Sequence, residues 1–550
     1  MNEADGELAT SPAQPERPSA QPPSTGLPAG SISEYLLREG LRRPDHVAVE
    51  RGDESYTYRQ LADRVRTVAA DLSHRGLRRG DVTIVAADPT PAALVVALAC
   101  WAIGAIYVPV APHTPARRRD TIIAMTDPAA FATERLAEAT VAVPVMIDLA
   151  AGEITITGAV DRPARRAASK EAPPDAAYII FTSGTTGVPK GITMTHRAAI
   201  AFFRGMTQEV PLPPDTRVGS IAPLSFDFSL LDWGLAGGAG ATLVQIPREM
   251  LLPPRRFVDH LRRHDVTMVS GVPSVWRPVL RHAADQLAEC ASLSTVLLGG
   301  EPYPMDLVRA LRQARPGLRV INCFGQSESI ACSFLELADP VPPNLTRVPI
   351  GPAHPGAEMI LLDDRGQPTV TGEAGEVFLR SPALFSGYWQ DPEATARALV
   401  PPPDAPDSAE RILRTGDLLR SEADGTFSFV GRADHQVKVN GNRVELEEVE
   451  RVLASHATVA DVAVTVVGGA VSDQLVALVV PRMANEDDTR QLRGVCRSLL
   501  PPYMVPTDIV LVPSLPHNDN DKIDRRRVRE MAADAVHALS RPTTESPEQQ

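Results

Sequence analysis

Short apolar runs alternate with amphipathic helical patterns along the first 320 residues of this 550-residue chain. The strand-like runs read VTIVAA, ATLVQI, VTMVSGV and STVLLGG. The helical patterns between them include YRQLADRVRTVAADLSHR and MDLVRALRQA. Strands that alternate with helices in this way are typical of parallel sheets covered by helices. The sequence therefore predicts an α/β fold from about Ser31 to Val320.

The pattern changes near residue 348, where turns begin to separate strand-like runs such as AEMILLDDRGQP and GEVFLRS. This change predicts a small β-rich subdomain at about 348–431, which completes an N-terminal core of residues 31–432. A separate small α+β domain is predicted for residues 434–530. The chain ends, 1–30 and 531–550, are Pro-rich or polar, and we expect a disordered tail and a loose tail there.

Composition narrows the possible partners and the compartment. The formal net charge is −13, which argues against nucleic acid as a main partner because phosphate backbones require a basic face. The five cysteines are scattered, without metal-ligand spacing or a disulfide framework. The acidic, Pro-rich N-terminus lacks the apolar core of a signal peptide. We therefore expect a cytoplasmic protein.

One uncharged segment, Ala92–Ala111, is about long enough to span a bilayer. Gly104 and Pro109 interrupt it. The first half is typical of a buried helix, and AIYVPV is typical of a buried strand. We therefore expect no membrane contact.

The stretch YIIFTSGTTGVPKG, Tyr178–Gly191, runs from apolar residues into hydroxyl residues and glycines and then reaches a lysine. Free backbone N–H groups, hydroxyls and a cation together are typical of a phosphate-binding loop. The ordinary P-loop, however, reads G-x-x-x-x-G-K-[ST]. Here Pro189 precedes Lys190 and Gly191 follows it, so the loop belongs to another class.

The segment TSGTTGVPK, Thr182–Lys190, resembles the signature of the adenylate-forming superfamily, which includes acyl-CoA synthetases, luciferases and the adenylation domains of nonribosomal peptide synthetases. Other motifs of that superfamily follow in its order across about residues 31–530. They are YTYRQL, AIGAIYVPVAP, FDFS, NCFGQSE, GEVFLRSPALFSGYW, RTGDL, GRADHQVKVNGNRVELEEVE, LPPYMVP and NDNDKIDRR. The ordered set makes a chance match very improbable.

The resemblance implies an ATP site with Mg²⁺. Loop residues would hold the phosphates, namely Thr182, Ser183, Gly184, Thr185, Thr186, Gly187 and Lys190. Phe324 would stack on adenine, Gly300 and Glu301 would lie at its edge, and Asn322 and Gly325 would complete that wall. Ser327 would contact the α-phosphate, Glu328 would bind Mg²⁺, and Asp417 with Arg432 would hold the ribose.

The resemblance also implies a mobile catalytic lysine, Lys522, which would act with Lys190 and Ser327 on the charge that develops at the α-phosphate. The residue before Lys522 is Asp521 rather than the usual glycine. Asp434 matches the hinge about which the lid domain rotates. Lys438 and Gly441 would face the incoming thiol after that rotation.

Asp227 in FDFS matches the residue that pairs with the substrate ammonium in amino-acid-activating relatives. A buried carboxylate beside an apolar pocket requires such a cationic partner. The remaining pocket positions, aligned by motif, are Phe228, Leu231, Ser270, Leu297, Gly299, Cys323, Ala331 and Cys332. None is charged, so we expect a neutral, mainly apolar amino acid, with proline, alanine, a branched aliphatic residue or a β-amino acid all open.

The favoured hypothesis is a free-standing ligase that loads the amino acid onto the phosphopantetheine thiol of a separate carrier protein in peptide or polyketide biosynthesis. Gln326 stands where amino-acid activators usually have proline, which favours an acyl- or aryl-CoA synthetase as the alternative. A catalytically weak carrier-docking module is a third possibility. Asp227 argues against the second, and the set Lys190, Glu328, Asp417 and Lys522 argues against the third.

Overall fold

The structure is a computed structural model that describes residues 25–136, 141–161, 173–183, 189–433, 436–439, 441–468, 473–482, 488–517 and 523–539. Its helices are α1 Ile32–Arg38, α2 Tyr58–His74, α3 Pro91–Ile103, α4 Ala116–Thr126, α5 His196–Glu209, α6 Phe228–Ala239, α7 Pro254–Arg263, α8 Trp276–His282, α9 Ala284–Glu289, α10 Met305–Ala314, α11 Pro392–Ala398, α12 Leu446–Ala454, α13 Asp488–Leu499 and α14 Arg525–Leu539.

The strands up to residue 336 are β1 Val47–Arg51, β2 Glu54–Thr57, β3 Val82–Ala86, β4 Ile106–Val110, β5 Ala130–Thr133, β6 Val145–Asp148, β7 Thr155–Gly158, β8 Ala176–Thr182, β9 Lys190–Thr195, β10 Arg217–Ser220, β11 Thr242–Gln245, β12 Met268–Gly271, β13 Thr295–Gly299, β14 Arg319–Phe324 and β15 Ser333–Glu336. The later strands are β16 Glu358–Leu362, β17 Ala374–Arg380, β18 Gly387–Tyr388, β19 Leu399–Val400, β20 Ile412–Ser421, β21 Phe427–Arg432, β22 Gln436–Val439, β23 Asn442–Glu445, β24 Val459–Gly468, β25 Asp473–Pro481 and β26 Asp508–Leu511.

Two eight-stranded sheets carry the N-terminal part. Their strand orders are β15-β14-β13-β12-β10-β11-β1-β2 and β18-β9-β8-β4-β3-β5-β6-β7. Pairing is parallel at their centres, for example β10 with β11 and with β12, and β3 with β4 and with β5. A third, antiparallel sheet contains β16, β17, β19, β20 and β21. The hairpin β22–β23 and the sheet β24-β25-β26 follow, so the predicted fold class is confirmed.

Helix α3 shows how the core forms. Its residues Pro91–Ala102 are all buried, as expected for a helix that is apolar on every side. The Thr90 hydroxyl accepts a hydrogen bond from the amide of Ala93, and Gly104 ends the helix with φ +73°. The next apolar run forms β4. In the part of the chain that the structure describes, no helix is long and apolar enough to cross a membrane.

Ordered contacts extend beyond the predicted boundaries of the two tails. Thr25 is buried, and its carbonyl accepts a hydrogen bond from the Arg66 guanidinium, so ordered contacts begin before residue 31. Helix α14 continues to Leu539, and Val528 and Ala532 are buried against the C-terminal sheet. The prediction of a loose segment from residue 531 was therefore wrong for residues 531–539. The spacing of these two residues places them on one helix face.

Candidate active site

A cavity, called the central cavity below, lies where strands of both large sheets end. Val110 and Thr182, at the ends of β4 and β8, line it from one sheet. Gly300 and Gly325, which follow β13 and β14, line it from the other. The hairpin β22–β23 closes it. Carboxyl ends of parallel strands are the usual place for ligands in α/β folds.

The glycine-rich loop connects β8 and β9, which are antiparallel and in which Thr182 pairs with Lys190. The loop therefore joins two strands and does not open a helix, unlike an ordinary P-loop. The Lys190 ammonium lies 5.7 Å from the centre of the Tyr388 ring. Gly184, Thr185, Thr186 and Gly187 lie outside the described residues.

The residues of β14 have distinct surroundings. The Asn322 amide oxygen accepts a hydrogen bond from the Tyr303 hydroxyl (3.0 Å), and its amide nitrogen donates to the Pro349 carbonyl (2.9 Å). Both ends of this side chain are therefore bound by the protein itself. The Phe324 ring lies 6.4 Å from the Phe429 ring, centre to centre, and it is only partly buried.

The turn after β13 brings Gly300 to the central cavity with φ +86°. A Cβ atom at Gly300 would lie 3.3 Å from Cγ1 of Val272, so both conformation and space favour glycine. The Glu301 carboxylate accepts a hydrogen bond from the Ser274 amide at 2.6 Å. Glu301 therefore stabilises the turn that shapes this wall.

Asp417 and Arg432 face each other across β20 and β21, where they are register partners. The guanidinium contacts the Asp417 carboxylate at 2.5 Å and donates to the Thr415 carbonyl at 3.1 Å. Asp417 is buried, and burial raises its pKa while Arg432 opposes the rise. The predicted ribose pair thus forms one fixed unit.

Asp227 lies directly before α6, and only 4% of its surface is exposed. Asp227 is one of the residues that line the central cavity. Burial raises the pKa of Asp227 to about 6, although a hydrogen bond with Ser327 and the charge of Lys438 oppose the rise. The site therefore contains a buried carboxyl whose charged form requires a cation nearby.

Fewer of the predicted pocket residues line the central cavity than the sequence predicted. Of the eight predicted pocket positions other than Asp227, the cavity is lined by Phe228 and Cys323. A Cβ at Gly299 would lie 2.9 Å from Cζ of Phe228, so that ring covers the strand below it. The remaining predicted residues, Leu231, Ser270, Leu297, Ala331 and Cys332, are buried and do not line this cavity, so their role in binding the substrate stays a prediction.

Glu328 is almost fully buried, and both of its carboxylate oxygens have partners. Nη1 of Arg443 donates to Oε1 at 2.8 Å and to Oε2 at 3.0 Å. The Tyr388 hydroxyl donates to Oε1 at 2.7 Å. Burial alone would raise the pKa of Glu328, but the charge of Arg443 and the Tyr388 hydrogen bond outweigh it and hold the pKa below its usual range.

The hairpin β22–β23 carries two cations to the site. Lys438 and Arg443 are register partners, so their side chains lie on the same face of the hairpin. The Lys438 ammonium donates to the Gly325 carbonyl at 3.1 Å. Between them Gly441 has φ +78°, and a Cβ there would lie 2.1 Å from Cγ1 of Val272, so this approach requires glycine.

Two further contacts fasten the C-terminal part to the core. Ser183 donates through its hydroxyl to the Arg443 carbonyl at 2.9 Å and accepts from the Glu445 amide at 3.2 Å. Arg118 on α4 and Glu448 on α12 form a buried ion pair at 2.7 Å. In this arrangement a predicted phosphate ligand, Ser183, is bonded to the hairpin.

Lys522 and Asp434 lie outside the described residues, so their predicted roles stay predictions. Among the residues that the structure describes, no group of three or more His, Cys, Asp or Glu side chains is placed to hold a metal ion. The predicted role of Glu328 as the Mg²⁺ ligand stays a prediction, because both of its carboxylate oxygens are paired with Arg443 and one also with Tyr388 in this arrangement.

Sequence reasoning missed Arg443, Tyr388, Arg118 and Glu448. Arg443 lies two residues after Gly441 in a motif that was identified. Once the hairpin is known, its pairing with Lys438 places both side chains on one face. Arg118 and Glu448 are 330 residues apart. No local pattern connects them.

The family model described as "AMP-binding enzyme" matches residues 37–389, and "AMP-binding enzyme C-terminal domain" matches residues 448–522. An L-proline–[L-prolyl-carrier protein] ligase of Pseudomonas fluorescens is 31% identical over 90% of this chain and 98% of its own length. A linear gramicidin synthase of Brevibacillus parabrevis is 32% identical over 90% of this chain. The chain spans only 9% of the length of that synthase.

Among solved structures, the crystal structure of IdnL1 has a TM-score of 0.80 and 44% sequence identity. The match covers 89% of this chain and 99% of IdnL1. The likeness thus extends over nearly the whole of a protein of similar length.

Proposed function

Because the chain belongs to the AMP-binding enzyme family, we propose that it activates a neutral amino acid, α or β, as its aminoacyl-AMP and then transfers the acyl group to the thiol of a separate carrier protein. Membership in the adenylate-forming superfamily and the class of AMP-forming amino acid ligase, both predicted from the sequence, are confirmed by the family match and by the ligase relative. The substrate and the carrier are the proposed parts.

The observation that carries the substrate proposal is the buried carboxyl of Asp227 in the central cavity. A carboxylate there lacks solvent to stabilise its charge, and a substrate ammonium supplies the missing partner. The cavity wall beside it contains Phe228, Cys323 and Ile330, which are uncharged. These three residues offer no counter-charge to an ionic substrate side chain. The cations that line other parts of the cavity already have partners in the protein: Arg118 with Glu448, Arg432 with Asp417, Lys438 with the Gly325 carbonyl and Arg443 with Glu328.

The first reaction joins a carboxylate oxygen of the amino acid to the α-phosphorus of ATP and breaks the bond to the β-phosphate, so pyrophosphate leaves. In our proposal, Asp417 and Arg432 hold the ribose, and Phe324 with Phe429 contacts the base. In the same proposal Ser327, which lines the central cavity with Asp227, lies between the amino acid and the α-phosphate. The charge that develops there is stabilised by donors fixed beforehand.

The second reaction joins the carrier thiol sulfur to the acyl carbon and releases AMP. The hairpin places Lys438 beside Gly325 at the cavity, where a cation favours the departure of the AMP anion. The carrier itself is proposed by analogy with the proline ligase relative, which the chain matches over 98% of that protein. The division into a core, a hinge at Asp434 and a lid belongs to the same proposal, as does Mg²⁺ as the ion that accompanies ATP.

The test is a double-mutant cycle across the contact between Asp227 and the substrate amine. Asp227→Ala should lower kcat/KM for the best amino acid by about 10²- to 10³-fold, because breaking a buried ion pair costs about 3–5 kcal/mol. The deaminated analogue should be poor with the wild type and relatively less disfavoured with the variant, and KM for ATP should not change.

Zero coupling between the two changes would show that Asp227 does not bind the amine. The acyl- or aryl-CoA synthetase alternative would then lead, since Gln326, which donates to the Ser329 hydroxyl at 3.1 Å, already stands at the position where such enzymes differ.

A further inference from the structure

Three polar side chains lie side by side near the carboxyl ends of the parallel strands β10, β11 and β12. Ser220 ends β10, Gln245 ends β11, and Ser270 is the third residue of β12. Ser220 is the register partner of both Gln245 and Ser270, so the three side chains are neighbours on one face of the sheet. Ligands in α/β folds usually bind at this end of the strands.

This face of the sheet is covered by α6. The residues two positions earlier on the three strands, Val218, Leu243 and Met268, belong to the same apolar core as Leu231 of α6. Residues two positions apart on a strand share a face. The three polar side chains therefore point from the sheet into the core that contains α6.

Asp232 meets these groups from α6. It is fully buried, and burial raises its pKa to about 7, while the nearby hydroxyls of Ser220 and Ser270 oppose the rise. Gln245 and Ser270 are fully buried as well, and Ser220 is nearly so. A carboxyl, an amide and two hydroxyls thus share one water-excluded place in the core.

Most of these polar atoms are not satisfied by the protein. Among the described residues, no hydrogen-bond partner reaches either carboxylate oxygen of Asp232, either amide atom of Gln245 or the Ser270 hydroxyl. A buried polar atom without a partner is costly, and native proteins pair nearly all of them. Several such atoms at one place indicate a bound group. These three residues do not line the central cavity, so a substrate there does not reach them in this arrangement.

The chemistry of the side chains indicates what kind of group binds. One carboxylate, one amide oxygen and two hydroxyls offer oxygen atoms only, which hard cations prefer. A single carboxylate balances a single positive charge. A divalent ion would leave one charge uncompensated in an apolar core, which is strongly disfavoured.

We propose that Ser220, Asp232, Gln245 and Ser270 form a site for one monovalent metal cation, Na⁺ or K⁺, which fastens α6 to strands β10, β11 and β12. Asp227 directly precedes α6, and Phe228 is its first residue. Phe228 stands four positions before Asp232, one turn away on the same side of the helix. Asp232 is therefore a positioning residue, which holds the helix that carries the cavity wall.

The first test measures the melting temperature of the full-length protein in NaCl, KCl and choline chloride at equal ionic strength, at a pH well above the pKa of Asp232. Na⁺ or K⁺ should raise the melting temperature above that in choline by on the order of a few degrees, and the rise should saturate with ion concentration. The metal ion that reaches half of its effect at the lower concentration is the one that the site prefers. Equal melting temperatures in the three salts would overturn the proposal.

Asp232→Asn keeps the shape of the side chain and removes its charge. This variant also relieves a buried charge, so we expect it to fold, and its melting temperature should be the same in all three salts. Asp81→Asn is the matched control, because Asp81 is also buried but its carboxylate accepts a hydrogen bond from the Arg78 amide at 2.7 Å, away from α6. The control should keep the rise of the wild type. A rise that persists in Asp232→Asn would contradict the proposed site.

The second test detects the ion directly. Equilibrium dialysis with radioactive Na⁺ and, separately, with Tl⁺ as the probe for K⁺ should show one equivalent more of one of these ions on the wild type than on Asp232→Asn. Equal binding to the two proteins would show that water or a proton satisfies the carboxyl, and it would overturn the proposal. Neither test involves an amino acid, ATP or a carrier, so failure here is distinguishable from failure of the proposed function.

Discussion

Asp227 is a buried, titratable residue that lines the central cavity. It immediately precedes α6, and its pKa is raised to about 6, mainly by burial. Ser327 and Lys438 oppose that rise. A carboxyl held this way titrates inside the range in which enzyme assays are run.

The pH dependence of kcat/KM follows from that shift. Above pH about 6 the carboxylate is charged and can pair with a substrate ammonium; as the pH falls through 6 it is protonated and the pair is lost. We expect kcat/KM for the amino acid to decline below pH about 6 in the wild type, since this parameter reports free-enzyme pKa values. The decline should be absent in Asp227→Asn, measured by pyrophosphate exchange from pH 5 to 8.

Two lysines should separate the two half-reactions. Lys522→Ala should lower adenylation by roughly 10²-fold in kcat with little change in KM, because that lysine is expected to act on developing charge. Lys438→Ala should spare pyrophosphate exchange and slow transfer of the acyl group to the thiol with release of AMP, since Lys438 binds the Gly325 carbonyl beside the cavity. Equal losses in both assays for both variants would contradict this division.

At the scale of elements, the hairpin β22–β23 and α12 connect the C-terminal part to the core. Glu448 on α12 pairs with Arg118 on α4, with the two side chains only 3% and 7% exposed. Breaking such a pair leaves a buried charge without its partner. We therefore expect these elements to determine how tightly the C-terminal part binds to the core.

Glu448→Gln should weaken docking by about 3–5 kcal/mol and slow transfer to the thiol on the order of 10-fold or more, while pyrophosphate exchange persists. Glu393→Gln is the control, because Glu393 and Arg397 form an exposed pair at 4.0 Å, of a kind worth about 0–1 kcal/mol. Transfer rates for both variants should be measured at equal adenylate occupancy. Equal rates in the two variants would show that the buried pair does not hold the docked arrangement.

Sequence periodicity predicted elements well where one pattern dominates. The helix MDLVRALRQA is α10, and YRQLADRVRTVAADLSHR gives α2 with its Thr57 capping box. Sequence periodicity was a poorer guide to which residues line the central cavity. Ser270 and Leu297 are register partners on β12 and β13, but alternation along a strand tells which face a residue occupies and not how deep it lies. The Phe228 ring, whose rotamer depends on packing, decides the depth.

At the scale of the whole molecule, the ordered motifs predicted both parts of the chain but not how they meet. The contacts that fix their arrangement join residues far apart, such as Ser183 with Glu445 and Glu328 with Arg443. Each is a tertiary contact of polar groups, and such contacts carry no periodic signal in the sequence. The sequence identified the motif residues, but it did not predict which of them pair across the two parts of the chain.

The most direct measurement of the central claim is ATP–pyrophosphate exchange by the purified protein with Mg²⁺, across a panel of α- and β-amino acids with fatty and aryl acids alongside. The amino acid proposal predicts exchange that depends on a neutral amino acid, strongest for one or a few related side chains, and background exchange with acids that lack an amine. Exchange supported by a fatty or aryl acid, with none from any amino acid, would contradict it.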